Sequence, residues 1–316
     1  MEKTKNVRAA VVQAGSQLFD TEATLDALER HVVASANEGA TLVVFPEAYV
    51  GGYPKGSHFG APVGSRSAEG RELFRRYAEA AITEDGPEAA RLAAIAKDNR
   101  VDLVVGVIER AGGTLYCSVF VYSARDGYLG KRRKLMPTAA ERIIWGQGDG
   151  ATLAAFDIGA GKLGAAICWE NYMPMLRMSQ YQQGVELYCA PTVDDRDSWA
   201  ATMRTIALEG RCFVLSACQF MRRDDAPADY SPVQGNEPET ILINGGSLIV
   251  SPLGEILAGP VFGSETILFA DLDFNDILRG KMDFDAVGHY ARADVFRLEI
   301  NRSRSLAATW RDGPSG

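Results

Sequence analysis

The chain has 316 residues, with 33 lysines and arginines against 41 aspartates and glutamates, for a formal net charge of −8. Hydrophobic residues at 47% and charged residues at 23% are globular proportions and exclude a disordered or fibrous chain. A net anion of this kind is poorly suited to nucleic acid or an anionic membrane surface as its partner. No apolar run approaches the roughly 18 residues of a membrane span. The first residues, Met1–Asn6, lack the apolar segment of a secretory signal, and the five cysteines stand at irregular spacing without a C-x-x-C pair. These features predict a cytoplasmic protein with reduced thiols.

Short apolar runs alternate with amphipathic stretches. A strand is predicted over 7–13, then a helix over 21–37, where Leu25, Leu28 and Val32 recur three or four apart and Gly39 follows the end. A strand over 42–45 precedes helices over 69–81 and 87–98, the second opened by Pro87, which suits a first turn. After a strand over 101–108, Asp126-Gly127 separates strands 118–123 and 128–135 as a hairpin. A strand over 163–168 leads to a helix over 174–183, a strand over 185–190, a helix over 196–209 and a strand over 212–217. The polar stretch from Arg222 to Thr240 reads as a long exposed loop. A second hairpin turns at Pro252-Leu253-Gly254, and a last strand covers 266–272. Parallel-type alternation interrupted by hairpins predicts an α/β fold with mixed sheets. We expect one domain over residues 1–300 and a loosely held tail over 301–316.

Familiar motifs exclude several chemistries. There is no P-loop, no H-E-x-x-H, no zinc-spaced Cys/His set and no G-x-S-x-G elbow, and no metal site is expected. With only His31, His58 and His289 present, a hydrolytic base is not expected to be histidine; His31 falls within the first helix pattern. Three ionisable residues instead stand where apolar strands end: Glu47, Lys134 and Cys168. Side chains at strand ends of α/β folds gather in one crevice, so these three can meet. Singly each has a plainer reading, since a buried cysteine is usually a small hydrophobe and a lysine in a basic run is usually solvated.

The surrounding words carry more. Phe45-Pro46-Glu47-Ala48-Tyr49, Lys131-Arg132-Arg133-Lys134-Leu135-Met136-Pro137-Thr138 and Ile167-Cys168-Trp169-Glu170-Asn171 resemble the three motifs of the nitrilase (carbon–nitrogen hydrolase) superfamily. Glu141, ahead of Trp145, resembles that family's second active-site glutamate, and the likeness runs in order over roughly residues 7–300. Cys168-Trp169-Glu170 looks like the nitrile-hydrolysing branch, and the segment from Gly51 to Glu69 looks most like plant-type nitrilases, including those acting on cyanoalanine. The stretch from Arg222 to Thr240 departs from the likeness.

The resemblance implies a four-layer α-β-β-α sandwich and a cysteine-dependent nitrilase, with Glu47, Lys134, Cys168 and Glu141 catalytic and no metal or organic cofactor. It also implies dimers that extend into spirals or filaments. Tyr53, Trp145, Trp169 and Pro191 lie beside the motifs and are candidates to line the substrate pocket. Thr192 and Glu170 are candidates to support the cysteine loop. The expected reaction converts a small organic nitrile to its acid and ammonia, with some amide as by-product. Two other readings are an amidase or carbamoylase of the same superfamily, and a catalytically silent self-assembling scaffold.

Overall fold

Alternation along β1 (Asn6–Gln13) sets the layering: Ala9 and Val11 face one core, Ala10 and Val12 the other. The structure, a computed structural model, describes residues 6–305, so most of the expected tail lies outside the described residues. After β1 come α1 (Thr21–Asn37), β2 (Leu42–Val44), α2 (Ala68–Ala80), α3 (Pro87–Asp98), β3 (Asp102–Ala111), β4 (Thr114–Ser123) and β5 (Gly127–Arg133). The second half adds β6 (Phe156–Ile158), β7 (Gly161–Ala165), α4 (Pro174–Gln182), β8 (Leu187–Cys189), α5 (Ser198–Gly210) and β9 (Phe213–Ser216). It closes with β10 (Phe220–Arg222), β11 (Ile241–Val250), β12 (Ile256–Phe262), β13 (Thr266–Asp273) and α6 (Asn275–Asp283).

One sheet has the order β13-β1-β2-β3-β4-β5, the other β10-β11-β9-β8-β7-β6 with β12 paired to β11. Parallel pairs occupy each centre, β1-β2-β3 in one sheet and β7-β8-β9 in the other, flanked by antiparallel strands. Both sheets are therefore mixed, as the two hairpin signals predict. Val11, Val44 and Val121 of the first sheet meet Leu163, Leu187 and Phe213 of the second in the central core. Outside the first sheet, Leu25, Leu28 and Val32 of α1 and Leu92 and Ile95 of α3 cover Val12, Val43 and Leu103. Outside the second, Trp199, Met203 and Ile206 of α5 and Leu176 of α4 cover Tyr188 and Val214. Each such leucine or isoleucine taken from water contributes about 1.5–3 kcal/mol. The result is the four-layer α-β-β-α sandwich.

Local signals explain the helices. The Asp20 carboxylate accepts the Ala23 N–H at 2.9 Å and caps α1, while Pro87 and Pro174 occupy first turns where no N–H partner is lost. The differences from expectation are short or locally steered elements. β6 and β10 have three residues each, too few to display a period. α6 buries only Ile277 and Gly280, so it shows no apolar stripe. The strand predicted to reach Cys168 ends at Ala165, and residues 168–172 form a 3-10 turn. The stretch from Arg222 to Thr240 is not a free loop: Arg223, Ala226 and Tyr230 are buried. The Tyr230 hydroxyl donates to the Lys55 carbonyl at 2.6 Å, and Arg76 pairs with Asp229 at 2.6 Å. Among the described residues, no helix is long and apolar enough to cross a membrane.

Candidate active site

Three strand ends deliver the site. Beyond β2, Pro46 and Glu47 lie directly on β3, where Gly106 makes the approach possible: a Cβ there would stand 2.0 Å from the Pro46 carbonyl oxygen and 2.7 Å from the Glu47 Cα. The Gln219 side-chain amide donates to the Glu47 carbonyl at 2.8 Å, so a residue between β9 and β10 of the second sheet fixes a loop of the first. Lys134 follows β5, and its N–H donates to the Cys117 carbonyl of β4 at 2.8 Å. Cys168 follows β7, and its N–H donates to the Pro191 carbonyl at 2.9 Å.

Cys168 holds a left-handed backbone conformation, φ +52°, which costs a non-glycine residue roughly 1–2 kcal/mol and persists only where the surroundings enforce it. The enforcement is visible. The Asn171 amide donates to the carbonyls of Ala166 and Cys168 at 3.0 and 2.8 Å. Glu170, fully buried, accepts from the Ile167 N–H at 2.9 Å, from the Leu135 N–H and from the Arg132 guanidinium at 2.8 Å. One carboxylate therefore ties the residue after Lys134 to the residue before Cys168. The Thr192 hydroxyl donates to the Cys168 sulfur at 3.3 Å and accepts the Asp194 N–H at 2.9 Å.

The side chains converge. The Lys134 ammonium lies 2.7 Å from Glu47 Oε1 and 2.7 Å from Glu141 Oε2. Glu141 sits on a 3-10 turn over 139–143 and also accepts the Thr138 N–H at 2.6 Å and the Tyr53 hydroxyl at 2.8 Å. The Cys168 thiol borders the same cluster, close enough to Glu47 for each to shift the other's titration. Burial favours the neutral form of Glu47 and raises it above the usual carboxylate value against the opposing pull of Lys134. Burial and the Glu47 charge push the Cys168 thiol up, so at rest it is S–H. Burial also works to discharge Lys134, but the carboxylates beside it, Glu47 first and then Glu141, outweigh it and hold the ammonium. A buried cation between two carboxylates can thus stay charged while the thiol keeps its proton until a substrate arrives.

A cavity of about 250 Å³ opens on this cluster, bounded by Tyr53, Lys55, Thr138, Glu141, Cys168, Trp169, Val193, Asp194, Asp195 and Arg196. A second space of about 390 Å³ shares Tyr53, Lys55, Thr138 and Glu141 and continues along Ile143, Ile144 and Trp145. Of the expected lining residues, Tyr53 and Trp169 border the first space and Trp145 the second. Pro191 borders neither, because its contribution is the carbonyl that holds the Cys168 N–H. Trp169 is half-exposed, donates to Asp194 at 2.9 Å and lies under the Arg196 guanidinium at 4.8 Å.

Sequence reading missed Lys55, Asp194 and Arg196, which sit on irregular chain and belong to no recognised word. It also missed Cys117, although the alternation of β4 places Cys117 inward with Leu115, Val119 and Val121.

The carbon–nitrogen hydrolase pattern matches residues 8–281. The chain belongs to the carbon–nitrogen hydrolase family. Within it the protein is a hydrolase of the nitrilase type, for its relatives over nearly their whole length are nitrilases. It is 56% identical to a nitrilase of Bradyrhizobium diazoefficiens, over 93% of this chain and 92% of that one. It is 55% identical to a bifunctional nitrilase/nitrile hydratase of Nicotiana tabacum, over 94% of this chain and 86% of that one. The fold is shared with Saccharomyces cerevisiae Nit3, a member of the nitrilase superfamily, at a TM-score of 0.68 and 20% identity over 92% of this chain and 97% of that one.

Proposed function

We propose that the protein hydrolyses a small organic nitrile to its carboxylic acid and ammonia through a covalent bond to Cys168. The observation that carries this reading is the meeting of one thiol, one ammonium and two carboxylates beside a substrate-sized cavity that Cys168 and Glu141 line. Residues 1–300 act as one catalytic unit in this account.

Glu47 is the base. As Cys168 attacks the nitrile carbon, its S–H bond breaks, the proton passes to Glu47 and the electron pair forms the C–S bond. The displaced nitrile π pair settles on nitrogen, which takes the proton back from Glu47 and gives a thioimidate. Proton transfer inside the cluster leaves its net charge unchanged, which matters where charge is poorly solvated. Lys134 faces the developing negative charge and is worth most in this dry setting. Water oriented by Glu47 and Glu141 then adds to the carbon. If the C–N bond breaks, ammonia leaves with the proton supplied by Glu47, and a second water cleaves the thioester to release the acid and restore the thiol. If the C–S bond breaks instead, an amide departs. A barrier difference of about 1.4 kcal/mol changes that ratio tenfold, so a minor amide product belongs to the reading. None of these steps calls on a metal or organic cofactor.

Tyr53, Trp145 and Trp169 bind the nitrile's substituent. Self-association as a dimer and a longer spiral or filament is part of the proposal, supported by the exposed apolar side chains Met175, Leu278, Met282 and Phe296. A reducing cytoplasm suits five buried, unpaired cysteines. The test is a panel of nitriles and matched amides scored for acid, amide and ammonia. Acid and ammonia from nitriles are expected; turnover of amides alone would overturn the reading.

A further inference from the structure

We propose that Cys117 is a positioning residue for the base: its thiol and the Lys134 ammonium together occupy Glu47 Oε1, which leaves Glu47 Oε2 as the atom that takes the Cys168 proton. The inference rests on the reading of Cys168 as nucleophile and Glu47 as base.

The geometry is specific to one oxygen. The Cys117 sulfur lies 3.5 Å from Glu47 Oε1, the oxygen that Lys134 holds at 2.7 Å. Glu47 Oε2 is buried and accepts no hydrogen bond of its own within the described residues. A carboxylate with both oxygens saturated would be a poor proton acceptor; one with a single saturated oxygen is anchored and still basic. Cys117 is 1% exposed, and burial, with the Glu47 charge next, pushes its thiol up, so it remains an S–H donor where Glu47 is ionised. The backbone agrees with this role, since the Cys117 carbonyl also receives the Lys134 N–H. Cys117 thereby sets both partners of the ion pair, while bordering neither substrate space.

Glu47 is faced by Cys117 from β4, Lys134 after β5, Tyr53 from the loop after β2, Glu141 from the 3-10 turn and Cys168 from the loop after β7. Removing the Cys117 donor leaves the other four in place, so its effect on Glu47 is isolated. A lost donor to the ionised form makes that form harder to hold, and the Glu47 titration moves upward.

The experiment compares the pH profiles of kcat/KM for wild type, Cys117→Ala and Cys117→Ser on a nitrile, with Cys117→Val as a volume-matched replacement if the alanine variant does not fold. The expected result is an acidic limb raised by about half a unit to one unit in Ala or Val, the worth of one modest hydrogen bond, with KM kept. Serine, which retains a donor, restores the wild-type limb. An acidic limb that does not move in Ala or Val, or one that moves as far in Ser, would overturn the proposal. In either case a wild type active on nitriles leaves the nitrilase reading standing. Only a wild type without such activity removes both.

Discussion

Lys134 and Glu47 form a fully buried ion pair, Nζ to Oε1 at 2.7 Å, at a junction that strands of both sheets converge on. The pair is expensive to isolate: removing one member of a buried ion pair costs about 3–5 kcal/mol, because the other is left charged without a partner. Lys134→Met leaves Glu47 and Glu141 facing each other and is expected to lose about that much stability, along with nitrile turnover. The sign with pH is fixed by Glu47. An acid whose folded titration is raised has its stability fully present below the unfolded value, and loses it as pH rises through the folded value. The Lys134→Met deficit should therefore shrink as pH falls through the raised Glu47 titration, as urea unfolding at several pH values will report.

Glu170 holds the second junction. Glu170→Gln strips the charge opposite the buried Arg132 guanidinium and weakens the acceptor for the Leu135 and Ile167 N–H groups. We expect a loss of about 3–5 kcal/mol in urea unfolding and a marked fall in kcat, since Lys134 and Cys168 lose their common tether. Wild-type stability and kcat in this variant would show that the tether is idle.

The activity profile follows from the direction of the Glu47 shift. The base must be ionised, and burial raises its titration, so kcat/KM should fall on the acidic side at a pH above the ordinary glutamate value of about 4.3. A profile flat down to that value would contradict Glu47 as the base.

Thiol chemistry and metal chemistry separate cleanly. Cys168 borders the substrate space, whereas Cys117, Cys189, Cys212 and Cys218 are buried away from it. Iodoacetamide is expected to abolish turnover in step with alkylation of Cys168, and faster as pH rises, because the resting group is a thiol. Treatment with EDTA is expected to leave the rate as it was. Peptide mapping after partial inactivation checks the first statement, and sensitivity to EDTA would demand a different reaction.

Much of the site was legible because strand ends and local words coincide: Glu47, Lys134 and Cys168 each stand within three residues of a strand terminus, and the fold brings those termini together. The apolar stripe of α1 and the turn at Asp126-Gly127 were legible for the same local reasons. What sequence could not give was tertiary. That Pro191 would offer a carbonyl rather than a ring depends on its alignment with Cys168, which no spacing encodes. That Tyr230 would be buried depends on Lys55, 175 residues away. Cys117 was hidden differently: its alternation marked it as inward, but only the meeting of β4 with the Glu47 loop gives that position a chemical neighbour.

The most direct test is intact-mass spectrometry of the protein quenched during turnover of a nitrile, with Cys168→Ala as the parallel sample. The account predicts a transient mass gain of one thioimidate or thioester group, mapped to Cys168, and neither adduct nor turnover in a Cys168→Ala protein that folds normally. Turnover persisting in Cys168→Ala, or an adduct carried by another residue, would contradict it.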